Sequence, residues 1–162
     1  MEKLNSYISL VENAISNLGV DPAVCRTEQT HKWHLHRGQA QVVLMVRKSR
    51  TYKGTEKDTI VMVSPVVVMP QDEKLKQKLY QFLLATSHQM ITEAFSLAKE
   101  ANGTEVAYIS STYFIEDMNS EEIAFMLDSL SYYALKFSEE LRAEFMGQKK
   151  NNEETKPFKL ED

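Results

Sequence analysis

The chain has little of what would commit it to a special environment. It holds one cysteine, Cys25, so no disulfide can form within it, and a lone thiol fits a reducing compartment. Its five glycines are scattered singly, which leaves no phosphate-cradling loop. No stretch approaches the ~20 consecutive apolar residues of a membrane helix. The opening MEKLNSYISLVENAISNLG breaks its apolar residues with Glu2, Lys3, Asn5, Glu12 and Asn13, unlike a secretory signal. There is no excess of positive charge either. Nineteen Lys and Arg against 23 Asp and Glu give a net charge of −4, so no basic footprint points to nucleic acid. A cytoplasmic chain without membrane or nucleic-acid partners is expected.

What is present is ordinary for a globular fold. Apolar residues make up 43% and charged residues 26% of 162 residues, enough for one domain with its own core. Leu4, Ile8, Val11, Ile15 and Leu18 recur at helical spacing, and Gly19 suits the end of a helix over residues 2–18. Residues 31–38 (HKWHLHRG) alternate as a strand, with His31, Trp33 and Leu35 on one side and Lys32, His34 and His36 on the other. A second strand follows over 39–48, then a polar loop over 49–58, then a third strand over 59–69. Pro65 inside the third strand implies a bulge or an open edge. Val42 to Val46 and Val66 to Met69 are apolar on both faces, so both faces of the sheet are expected to be covered.

Asp72 can cap a helix reaching about Ile91. Residues 93–101 and 104–115 read as two strands joined at Asn102-Gly103, a pair suited to a turn with positive φ at both positions. A helix running on to Lys99 is the alternative for the first of these. Asn119 with Glu122 resembles a capping box. It opens a long last helix striped by Ile123, Met126, Leu127, Leu130, Tyr133, Ala134, Phe137, Leu141 and Phe145. A single domain over 1–146 and a flexible polar tail over 147–162 are expected. The order is α-β-β-β-α-β-β-α, an α+β fold with a mainly antiparallel five-stranded sheet. Either the three helices divide between the sheet faces, or a second copy of the chain supplies the missing cover.

Three of the four histidines fall within residues 31–36. His34 and His36 share a strand face and are the only weak metal candidates. They lack the four-ligand set of a structural zinc site. The stretch therefore reads as a strand with Trp33 inward and both imidazoles in water. Arg47, Lys48, Arg50, Lys53 and Lys57, with Tyr52 among them, make a local positive cluster best explained as a solvated loop. Ser87 and His88 are helix neighbours that do not face each other. No Gly-x-Ser-x-Gly occurs, and nothing around Cys25 activates it. No catalytic residue and no cofactor is assigned.

The segments WHLHRGQAQVVL, ANGTEVAYIS and FIEDMNSEEIAFMLDSL, together with the element order, resemble the YbjN-like family. That family shares the fold of the Tir-type class I type III secretion chaperones. The resemblance spans residues 2–145 and implies an α+β domain, commonly a homodimer. The secretion chaperones hold partly unfolded protein segments on apolar grooves, and the resemblance brings no catalytic residues.

The expectation is thus a non-enzymatic, chaperone-like module that binds a partner protein's segments through apolar surface. Val66, Val68, Met69, Met126 and Tyr133 are its candidate contact residues. The alternative is a regulatory module that senses a metal or small ligand through His34 and His36.

Overall fold

Apolar positions three and four apart make α1, Glu2–Asn17. Asp21, whose side chain accepts from the Ala23 N–H at 2.9 Å, caps a one-turn helix, α2 (Pro22–Cys25), that the apolar pattern alone does not announce. The strands follow: β1 (Lys32–Arg37), β2 (Ala40–Tyr52) and β3 (Thr55–Val68). Then come α3 (Glu73–Gln89), β4 (Ala94–Lys99), β5 (Glu105–Phe114), a 3₁₀ turn (Ile115–Asp117) and α4 (Ser120–Phe145). This computed structural model describes residues 2–29 and 31–145. The expected tail over 147–162 and the side chains of Arg50 and Tyr52 lie outside that description.

The sheet has five strands in the order β1-β2-β3-β5-β4, all neighbours antiparallel. Pro65 sits in the central strand, and the register shifts between Pro65 and Val67. The bulge relieves the ladder of the N–H that proline lacks.

Two hairpins differ from expectation. The polar loop over 49–58 is a ladder: Thr51 pairs with Glu56 and Tyr52 with Thr55. Ladder hydrogen bonds satisfy the backbone whatever the side chains are. The turn itself is Lys53-Gly54, with φ of 49° and 80°, the two positive values of a type I′ turn. Asn102-Gly103 is not such a turn. Only Gly103 has positive φ, at 83°. Glu100 N–H bonds Thr104 O, and Gly103 N–H bonds Glu100 O, both at 2.8 Å. That is the three-residue loop in which one left-handed glycine closes the turn. Asn102 instead uses its Oδ1 to accept from Thr104 N–H at 2.8 Å.

All four helices contribute to a core on one face of the sheet. Val11 and Ile15 of α1, Cys25 of α2, Leu79 and Leu83 of α3, and Leu127, Leu130 and Leu141 of α4 join Trp33, Leu44, Met62 and Ile109. The other face carries a second apolar cluster of Val43, Met45, Val63, Val106 and Tyr108, flanked by Val61. That cluster includes no helix residue. The helices therefore do not divide between the faces. No helix among the described residues is long and apolar enough to cross a membrane.

Candidate binding groove

A groove of about 560 Å³ opens where β5 ends and α4 begins. Tyr113 and Phe114 come from the end of β5, Met118 from the connection, and Phe125 and Met126 from the first turns of α4. Thr92, between α3 and β4, completes the wall. Its carbonyl accepts from Ser111 Oγ at 2.6 Å and from Tyr113 Oη at 3.4 Å, which holds that connection against β5.

The start of α4 is fixed by a reciprocal cap. Asn119 Oδ1 accepts from the N–H groups of Glu121 and Glu122 at 3.0 and 2.9 Å. Glu122 Oε2 accepts from Asn119 N–H at 2.9 Å, as a capping box requires. This rigid start sets the position of Phe125, which lies four residues beyond Glu121 and so on the same side of the helix. Phe125 is 68% exposed. It stands outside the buried stripe of α4, while Met126 beside it is packed into the core.

Asp117, Glu121 and Glu122 complete the lining. Asp117 lies 3.5 Å from Lys57 Nζ, and Lys57 also lies over the Phe114 ring at 5.2 Å. Glu116 pairs with Lys3, whose hydrogen bond holds the Glu116 carboxyl below its ordinary range. Glu93, next in the chain to Thr92, is buried, and its Oε1 has no hydrogen-bond partner among the described residues. The arrangement can surround an apolar side chain and place carboxylates beside it.

The structure does not bring the five sequence-based contact residues together. Val66 and Met69 are buried in the helix-side core. Val68 pairs with Val106 on the helix-free face and is 42% exposed. Met126 lines the groove. Tyr133 stacks on Phe137 with ring centroids 5.8 Å apart. Val68 and Tyr133 keep open surface, whereas Met126 lines the groove but is itself buried. Tyr113, Phe114, Met118 and Phe125 escape the sequence reading because periodicity marks what is buried, and they are gathered from three elements. The available signal was Phe125 itself, a large aromatic off the α4 stripe.

The histidines are only partly as expected. Trp33 is fully buried and His36 exposed. His34, opposite Val43 on the helix-free face, is half-buried rather than in water, and its Nε2 has no partner among the described residues. Its ladder partner Val43 belongs to the apolar cluster on that face. Burial first, then the charge of Lys32 and the neighbouring His36, lowers the His34 pKa from 6.5. The unfolded chain therefore binds this proton more readily than the folded one. Stability from this group is intact above 6.5 and declines as the pH falls through 6.5, levelling below the folded-state pKa. His34→Gln should show a smaller loss of stability than the parent between about pH 7 and 5, measured by urea unfolding. Equal losses would place the proton uptake elsewhere. Among the described residues no group of three or more His, Cys, Asp or Glu could hold a metal ion.

No family model matches the chain, and neither does any curated protein. Among solved structures, the crystal structure of YbjN from E. coli, a protein provisionally assigned to transcription regulation, is similar to it. The TM-score is 0.53 and the identity 14%, covering 81% of this chain and 87% of that one. An identity so low speaks to architecture alone, and in architecture the chain is YbjN-like.

Proposed function

We propose that the chain is a non-enzymatic binding module that holds an apolar segment of a partner protein in the groove at the start of α4. The observation that carries this reading is a large aromatic, Phe125, left 68% exposed beside a groove lined by Tyr113, Phe114, Met118 and Met126. Burying such side chains gives roughly 1.5–3 kcal/mol each. The lining offers hydroxyls and carboxylates but no imidazole, thiol or amine to activate them. Methionine adapts to varied apolar partners, and two of the eight methionines stand here.

The test is a titration with a short synthetic peptide carrying phenylalanine and leucine between serines. The parent chain binds it and Phe125→Asp does not. Equal binding by both would remove the groove from the account. YbjN's provisional assignment to transcription regulation favours a second reading, a regulatory module. A small ligand that excludes the peptide from the groove would favour that reading.

The same proposal takes the chain as a homodimer joined along β4. The β1 edge is occupied, since Arg26 bridges Trp33 and Thr27 N–H bonds Lys32 O at 3.0 Å. The β4 edge is more open. Phe95 N–H turns away from β5 to Ser87 Oγ at 2.9 Å, so Leu97 and Lys99 turn their backbone groups outward too. An antiparallel pair of copies centred on Leu97 joins the two Leu97 residues and sends each Lys99 N–H to a Phe95 carbonyl, with the Phe95 N–H left on Ser87 Oγ, and brings no like charges together. Leu97 is 44% and Ile91 96% exposed. Leu97→Lys should convert the dimer to a monomer in sedimentation velocity, because it sets two cations opposite each other at the centre. A parent chain that is monomeric at every concentration would refute the pairing.

A further inference from the structure

We propose that the groove selects a cationic amphipathic segment of a partner protein, with large apolar side chains in the groove and lysine or arginine beside them at the rim. This rests on the binding-module reading above and adds the charge of the partner.

The lining divides cleanly by chemistry. Tyr113, Phe114, Met118, Phe125 and Met126 are apolar or aromatic, whereas Asp117, Glu121 and Glu122 are acids. No Lys, Arg or His is among the lining residues. The nearest cations are already shared among several acids. Lys57 lies 3.7 Å from Glu116 and 3.5 Å from Asp117. Lys3 pairs with Glu116 and lies 3.7 Å from Asp58. Glu121 and Glu122 form no ion pair among the described residues.

Acids in a first helical turn complement the helix dipole, and Glu122 also serves the cap. That role explains one or two carboxylates. It does not explain why an exposed phenylalanine follows Glu121 by one turn, or why Asp117 stands across from it before the helix begins. With Asp117 beside Lys57, a dipole of roughly half a charge still leaves Glu121 and Glu122 with a net negative rim. An apolar floor within a negative rim rejects an acidic segment by unpaired desolvation and repulsion, and accepts a basic one.

The experiment compares three synthetic peptides with the same phenylalanine and leucine core, flanked by lysines, serines or glutamates. Binding to the full chain is read by fluorescence anisotropy at low salt. The lysine form should bind roughly tenfold more tightly than the glutamate form, with the serine form between them, and added salt should narrow the spread. Asp117→Asn with Glu121→Gln should bring the three together while the serine form is unchanged. Equal affinities for all three in the parent chain would overturn the charge assignment and leave the apolar groove standing. Tighter binding of the glutamate form would overturn it too. Failure of every peptide would overturn the binding-module reading itself. The chain's own Lys156, Phe158, Lys159 and Leu160 alternate cation and apolar side chain, although Glu154, Glu161 and Asp162 leave residues 154–162 with a net charge of −1. A peptide copying residues 154–162 that displaces the lysine form would reassign the groove to the chain's own end.

Discussion

Trp33→Ala should lower the stability of the fold by about 3–5 kcal/mol. Trp33 is 0% exposed and shares the helix-side core with Val11, Ile15, Leu44 and Leu130. Its indole N–H reaches Glu12 Oε1 on α1 at 3.4 Å, and the same oxygen accepts from Arg26 Nε at 2.8 Å. The ring thus joins β1, α1 and the segment after α2. Truncation leaves a cavity and removes the indole from that junction. Small domains have only ~5–15 kcal/mol to lose, so the variant should unfold at a much lower urea concentration with little change in slope. A loss under about 1 kcal/mol would mean the site collapses around the gap.

Phe125→Asp should do the opposite: leave the fold nearly untouched and remove binding. At 68% exposure the ring makes little contribution to the core, and surface changes of this kind usually fall within about 0.5 kcal/mol. Glu121, four residues earlier, opposes an acid there by only about 0.2–0.5 kcal/mol. Affinity for an apolar segment should fall roughly 30-fold or more, the size of an interface hot spot of ~2 kcal/mol. The two substitutions separate the roles of the aromatics, since Trp33 holds the molecule together and Phe125 faces outward from it. A Phe125→Asp chain that unfolds would place the ring in the core after all.

The fold was largely readable because burial imposes periods. The stripes from Leu4 to Ile15 and from Ile123 to Phe145 mark α1 and α4, and the alternation around Trp33 marks β1. Capping signals at Asp72 and Asn119 were equally direct, since few side chains can serve that geometry. The turns were harder. Asn102-Gly103 has the composition of a type I′ turn, but Glu100 and Thr104 close a three-residue loop first, and the type I′ geometry appears at Lys53-Gly54. Strand length was missed at residues 49–58 because polar residues can pair across a ladder as well as apolar ones. The groove was the least legible part. Thr92, Tyr113, Met118 and Phe125 meet only because β5 lies beside β4 and α4 starts at its end. His34 shows the same limit, since alternation gives its face but not what else lies on that face.

The most direct measurement follows the methionine methyl resonances of the chain during titration with the phenylalanine and leucine peptide. Met118 and Met126 line the groove, whereas Met62 lies in the helix-side core and Met45 on the helix-free face. The account predicts that the first two shift and saturate together while the other two stay in place, and that Phe125→Asp abolishes the response. Shifts centred on Met45, or a response in Phe125→Asp equal to that of the parent, would contradict it.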